Sequence, residues 1–305
     1  MIRGAEMQRN WSGVGTALVT PFDVSGELDE VAFRRLVERQ VAGGVHFLVP
    51  CGTTGETPTL TSDERDRVVS ITVEVAQGRV PVLAGVGGYN TEEVAELAAH
   101  TESLGVQGLL SVTPYYNKPT QEGLVQHYTA IANRTSLPVI VYNVPGRTGC
   151  NVEPKTLARL AQIPNIVGVK EASGNMAQMC EVCRVVPSDF SVLCGDDALA
   201  LPLMAVGGRG LISVASNVVP DRMAKMVTAA LEGDFAAARA EHTALLEFMN
   251  VNFIESNPIP VKAALAMLGL CQEVYRLPMV PPSAGSRDRI RQVLESLGIL
   301  HLVAH

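Results

Sequence analysis

The sequence predicts an α/β protein, a (β/α)8 TIM barrel followed by a C-terminal three-helix extension. Three observations point there. Eight short apolar runs rich in Val, Ile and Leu alternate with stretches of helical spacing. The runs are nearly continuous rather than alternating, as strands of a parallel sheet covered on both faces must be. The 305 residues suit one barrel of about 250 residues with an addition. An open doubly wound sheet has the same ingredients and stays the alternative, because strand count alone does not prove closure.

The strand candidates are, in order, Val14–Thr20, Val45–Pro50, Val80–Val86, Gly108–Thr113, Pro138–Asn143, Ile166–Glu171, Ser191–Gly195 and Gly210–Val214. Helix starts lie between them. Asp29 precedes Val31, Leu36 and Val37. Thr61 with Glu64 three residues on reads as a capping box. Thr91 and Thr120 precede further apolar faces. Pro154 and Pro220 stand where proline loses no needed donor. After the eighth strand, helical spacing covers about Phe235–Val251, Asn257–Leu268 and Ser286–Leu297. Residues 1–232 are therefore expected to form the barrel with the active site. Residues 233–305 would form an extension packed on the barrel or on another subunit.

Composition excludes several functions. A net charge of −7, from 24 basic and 31 acidic side chains, argues against nucleic acid or an anionic membrane as partner, both of which need clustered positive charge. No apolar run approaches the roughly 18 residues that span a bilayer. The opening MIRGAEMQRNW lacks the apolar segment of a signal peptide, so a soluble cytoplasmic location is expected. The six cysteines are scattered, and reduced thiols are the expectation. Cys180 and Cys183 form a lone C-x-x-C without the second pair or the histidines that zinc would want. The six histidines show no ligand spacing, so no metal is expected. Asp196 and Asp197 read as caps at a helix start rather than as cation ligands.

Active residues of such a barrel lie at the C-terminal ends of the strands and in the loops beyond. The second strand ends in CGTTGE, the fourth in TPYYNKP, the fifth in YNVPGRTG and the seventh in CGDD. The sixth carries GVKEASG and the eighth LISVAS. Hydroxyl and polar groups thus collect on one rim. Lysine is scarce: of 24 basic residues five are Lys, leaving 19 Arg. One of the five, Lys170, lies inside the apolar sixth strand. Desolvation there should lower its pKa and free a neutral amine to attack a ketone or aldehyde. The resulting iminium is an electron sink, from which the adjacent carbon loses a proton to become an enamine. A plain ion pair with Glu171 or another acid is the alternative. Tyr142 ends the neighbouring fifth strand and could shuttle protons, or merely pack on a loop. Thr53 and Thr54 could hold a carboxylate or relay a proton, or simply cap a helix. Arg147, between Gly146 and Gly149, offers a fork for a substrate carboxylate; a surface salt bridge is the plain reading.

Together these motifs resemble the pyruvate-dependent class I aldolase superfamily that contains the dihydrodipicolinate synthases and N-acetylneuraminate lyases. The resemblance runs from GTALVTPF at Gly15–Phe22 to NPIPVK at Asn257–Lys262, with GTTGE, YNVPGRTG and GVKEASG in order between. It is closest to the dihydrodipicolinate (4-hydroxy-tetrahydrodipicolinate) synthases, because Gly146-Arg147-Thr148-Gly149 supplies an arginine the sialic acid lyases generally lack. The resemblance implies that Lys170 forms a Schiff base with pyruvate and that Tyr142 gives and takes protons. Thr53 would link Tyr142 to Tyr116, the latter donated by a neighbouring subunit. Thr54, Ile212 and Gly195 would contact pyruvate, and Arg147 the carboxylate of L-aspartate 4-semialdehyde. No cofactor is implied, and a homotetramer built as a dimer of dimers is the family habit. Members inhibited by lysine tend to carry histidines after GTTGE and an asparagine after the third strand. Here the stretch reads Thr57 to Arg65 without histidine and the later position is Tyr89, so weak or absent lysine inhibition is expected. A related Schiff-base aldolase or dehydratase acting on a sugar acid or other 2-keto acid is the competing activity, and a silent scaffold barrel the competing class.

Overall fold

The computed structural model describes residues 10–300. The sequence expectation about a signal peptide falls mainly on residues 1–9, and the last residues expected in the extension are 301–305; both lie outside the described residues. Eight strands form the centre: β1 (Gly13–Ala17), β2 (Phe47–Val49), β3 (Leu83–Gly87), β4 (Gly108–Val112), β5 (Val139–Asn143), β6 (Ile166–Glu171), β7 (Ser191–Cys194) and β8 (Gly210–Ser213). They pair in parallel in the order β2-β1-β8-β7-β6-β5-β4-β3. The two ends of that order also meet. Leu48 and Val82 form a parallel bridge. The Leu48 amide donates to the Pro81 carbonyl at 3.0 Å and the Gly85 amide to the Pro50 carbonyl at 2.9 Å. The sheet is a nearly closed barrel, and the open doubly wound alternative is excluded.

Strand ends differ from the sequence limits for local reasons. Pro50 has no N–H, and Cys51 turns to φ 56°, so β2 stops at Val49. Pro81 likewise delays β3. Gly85 marks the closest approach at the closure, since a Cβ there would stand 1.9 Å from the Cys51 carbonyl oxygen.

The helix signals are realised with one shift. Asp29 accepts from the Ala32 amide, Thr120 from that of Gly123, and Thr61 with Glu64 forms a reciprocal capping box. Pro154 and Pro220 begin helices. Asn90, not Thr91, caps its helix, which leaves the Thr91 hydroxyl to pair with His127 Nδ1 at 2.9 Å. Asp196 is a cap, accepting from Ala198. Asp197 is not. It is buried and accepts from the Ser213 hydroxyl and from the amides of Val214 and Ala215 at 3.0 and 3.1 Å. It fastens the β7 rim to the β8 loop.

Inward-facing side chains fill the barrel, including Ala17, Phe47, Leu110, Ile140, Leu193 and Ile212. Trp11 stands edge-on to Phe47 at 5.3 Å and its backbone amide meets Ser191 Oγ at the start of β7, so it plugs the N-terminal mouth. Outward faces pack under the helices. Beyond the barrel come helices Phe235–Val251, Ile259–Met267 and Ala284–Ser296. The middle one is buried along Ile259–Leu265 and lies over the C-terminal rim near β2. Arg276 adds a second tie there. Its guanidinium pairs with Glu64 and donates to the carbonyls of Gly26 and Thr59, holding the Glu64 carboxyl down at about 2. No helix among the described residues is long and apolar enough to cross a membrane.

Candidate active site

The β5–β6 register sets Tyr142 directly beside Lys170. Strand residues alternate faces, so Val169 joins the outer core and Lys170 points inward. Glu171 then faces away from it. Its carboxylate accepts from Asn143 Nδ2 at 2.9 Å and the Ser173 amide at 2.8 Å. The Lys170–Glu171 pair allowed by the sequence is not formed, and Lys170 makes no ion pair among the described residues. Lys170 is 6% exposed, and its Nζ lies 4.1 Å from the centroid of the Tyr142 ring. Gly195 clears the space for its stem, because a Cβ there would reach 3.1 Å from Lys170 Cε and 2.5 Å from Ala172 Cβ. Ile212 is packed in the same barrel interior as Tyr142.

The loop after β2 folds into a 3-10 turn, Thr53–Gly55, whose last turn ends with Glu56 at φ 52°. Two ties from the C-terminal extension pin it. The fully buried Lys262 Nζ reaches Glu56 Oε1 at 2.5 Å, and Asn257 Nδ2 donates to Thr54 Oγ1 at 3.0 Å. Burial pushes the Lys262 amine below its ordinary value, with Glu56 opposing, and the ammonium lies 4.2 Å from the Phe22 ring centroid. Arg147 sits on the short helix Pro145–Thr148, which Gly149 ends at φ 67°. Its Nη2 donates to the Asn257 carbonyl at 3.2 Å.

These groups enclose a cavity of about 460 Å³, whose lining includes Thr53, Tyr115, Tyr142, Arg147 and Asn257. Cys51 also reaches it, but burial pushes its thiol up to about 12, so it stays a neutral thiol. Thr53, Tyr142 and Arg147 thus share one cavity, Thr54 lies behind its wall, and Lys170 stands against Tyr142 within the barrel, with Gly195 beside the lysine stem and Ile212 in the same apolar interior. Tyr116 does not join them. It is 91% exposed with φ 71°, and its neighbour Tyr115 lines the cavity instead. No hydrogen bond joins Thr53 to Tyr142 or to Tyr116 among the described residues. Asn257, Glu56 and Lys262 were not singled out as site residues from sequence. One signal was available: Lys262 is a second lone lysine in an apolar segment, as Lys170 is.

A profile of the dihydrodipicolinate synthetase family matches residues 10–297. The chain belongs to the dihydrodipicolinate synthetase family. It is 54% identical to the 4-hydroxy-tetrahydrodipicolinate synthase of Koribacter versatilis, over 94% of this chain and 96% of that one. Among solved structures, the dihydrodipicolinate synthase of Thermotoga maritima superposes with a TM-score of 0.93 at 46% identity, over 95% of this chain and 99% of that one. A monomeric dihydrodipicolinate synthase variant matches with the same TM-score of 0.93 and 46% identity, over 95% and 98%. Similarity at this level extends through the extension as well as the barrel, since the matched residues end at 297.

Proposed function

We propose that this chain is a 4-hydroxy-tetrahydrodipicolinate synthase that condenses pyruvate with L-aspartate 4-semialdehyde through a Schiff base on Lys170. The observation that carries the chemistry is a buried lysine with no carboxylate partner, set against a tyrosine in a rim cavity that also holds an arginine. Family membership and the shared name of the relatives support the substrates. The Lys170 amine attacks the pyruvate ketone and water leaves, giving an iminium. Loss of a methyl proton gives the enamine. The enamine carbon bonds to the aldehyde carbon, whose oxygen takes a proton. The amine of the former semialdehyde then attacks the iminium carbon and expels Lys170, closing the ring. One water is released overall. Tyr142 is the group placed to give and take these protons, and the iminium is itself the electron sink, so no cofactor enters. Thr54 and the Thr53 turn hold the pyruvate carboxylate, with Ile212 and Gly195 shaping the floor. Arg147 holds the carboxylate of the semialdehyde.

Tyr116 has a role here only across a subunit boundary. Its exposure fits donation to a neighbouring copy, where it would complete a Thr53-linked relay to Tyr142, in a dimer or a dimer of dimers. The monomeric relative shows that assembly is not constant among similar chains. Sedimentation of the purified protein, with Tyr116→Phe assayed beside it, tests the arrangement.

Turnover with pyruvate and the semialdehyde, measured beside N-acetylneuraminate, tests the reading as a whole. Arg147→Ala is expected to retain borohydride-trapped pyruvate while kcat/KM for the semialdehyde falls about a hundredfold or more, since charge-assisted hydrogen bonds contribute about 1.5–3 kcal/mol each. Preserved kcat/KM would remove Arg147 from substrate binding. Lysine is expected to inhibit weakly or not at all. This rests on Tyr89, which lines the adjoining cavity where lysine-inhibited members carry an asparagine, although Asp66, Glu93 and Glu96 line it too. A dose–response with half-inhibition well below millimolar lysine would contradict this.

A further inference from the structure

We infer that Asn143 and Glu171, paired on the outer face of the barrel, are positioning residues that aim Tyr142 and Lys170 at each other. The inference rests on the Schiff-base reading above and deepens it. The β5–β6 ladder is irregular: Val139 pairs with Ile166, but Ile140 pairs with Gly168. Val167 is passed over, and the alternation of faces along β6 changes there. Val167 lies with Tyr142 in the barrel interior, while Val169 belongs to the outer core. Unbroken alternation from Val167 would turn Val169 inward and Lys170 out under the helices. The starting register would likewise set Tyr142 beside Val169. The irregularity therefore brings Lys170 into the barrel, as bulges re-aim side chains beside active sites. Only glycine fits at Gly168, where a Cβ would stand 2.6 Å from the Ser191 carbonyl oxygen.

The shifted register is held at its rim end, where Asn143 and Glu171 are the register pair just past Tyr142 and Lys170. Both are fully buried. The Val152 amide donates to Asn143 Oδ1 at 2.9 Å, which turns Nδ2 toward Glu171 Oε2, also 2.9 Å away. Glu171 has no cation partner among the described residues. Its hydrogen bonds come from neutral donors: Asn143, the Ser173 amide at 2.8 Å and Gln178 Nε2 at 3.4 Å. Asn151 closes the cluster, accepting from Asn143 and donating to Gln178, each at 2.9 Å. Burying a carboxylate without a counter-ion is expensive, and a plain packing contact between strands needs none. What the charge supplies is direction. A carboxylate only accepts and the fixed amide only donates toward it, so a slip of one residue would leave both unpaired.

The test follows the methyl protons of pyruvate in D2O, with no semialdehyde present. Iminium formation requires the Lys170 amine and is read by borohydride trapping. Exchange of the methyl protons requires, in addition, Tyr142 aligned on the iminium. Glu171→Gln sets an amide donor against the donors of Asn143 and Gln178. It is expected to keep trapping at saturating pyruvate while exchange falls about tenfold or more, the scale on which small misplacements of reacting groups act. Asn143→Asp/Glu171→Gln restores a carboxylate–amide bond with its direction reversed, and exchange should recover toward the unsubstituted rate. Exchange unchanged in Glu171→Gln, lost only in proportion to trapping, or no better in the double variant overturns the inference. Should Glu171→Gln fail to fold, the double variant decides: a folded, exchanging protein supports the inference, and misfolding or lost exchange overturns it. If the unsubstituted protein neither traps nor exchanges, the Schiff-base reading itself falls; if it does both and the variants do not separate them, only the role of Asn143 and Glu171 falls.

Discussion

Lys170→Ala is expected to lose turnover by about 10⁴–10⁶-fold, the scale on which removing a nucleophile acts in covalent enzymes. The same variant should show no pyruvate-derived mass after borohydride reduction, whereas the unsubstituted protein gains one adduct on the peptide containing Lys170. Lys170→Arg should not rescue either readout, because a guanidinium stays protonated and does not attack a ketone. The size of the effect follows from the packing. Lys170 is 6% exposed, its stem is fitted against Gly195 and its amine stands over Tyr142. No other lysine is placed to substitute, since the second buried one, Lys262, is paired with Glu56. A reduced adduct persisting in Lys170→Ala would move the Schiff base elsewhere and sink the assignment.

Lys262→Met is expected to destabilise the fold by about 3–5 kcal/mol, because it strands the Glu56 carboxylate in a fully buried site. Glu56→Gln should cost less than this, since it leaves an amide rather than a charge facing the ammonium. The double variant should recover part of the loss, as replacing both charges removes the unpaired one. Urea unfolding at fixed pH measures all three. A Lys262→Met variant within about 1 kcal/mol of the unsubstituted protein, inside the range of an exposed pair, would show that the pair is not closed to water. The effect should reach function too. Glu56 ends the turn that carries Thr53 and Thr54, so a loosened pair is expected to raise KM for pyruvate more than it changes trapping at saturating pyruvate.

Much of the architecture was legible before the structure. Eight apolar runs with caps between them identify eight β-α units, because a parallel strand buried on both faces leaves an unmistakable pattern. Lys170 was legible for the complementary reason: a charged group in such a run needs a purpose. Ends were less legible where proline and a left-handed residue cut a strand short, as at Pro50 and Cys51. Asn90 displaced Thr91 as a cap because both residue types serve, and only the backbone geometry selects between them.

The sequence by itself determined the set of elements, their order and the placement of Lys170 in an apolar strand, since each depends on residues near one another along the chain. Only the tertiary structure decided closure, through a Leu48–Val82 bridge that no local pattern encodes. It alone decided that Lys170 is unpaired, because the side of the strand Glu171 faces and the partners it meets are properties of the packed barrel. It also decided that the extension is part of the site. Asn257 meets Thr54 across 203 residues and Lys262 meets Glu56 across 206. Contacts at such separation leave no periodicity to read, and their strength arises from burial that exists only once the barrel and the extension have come together.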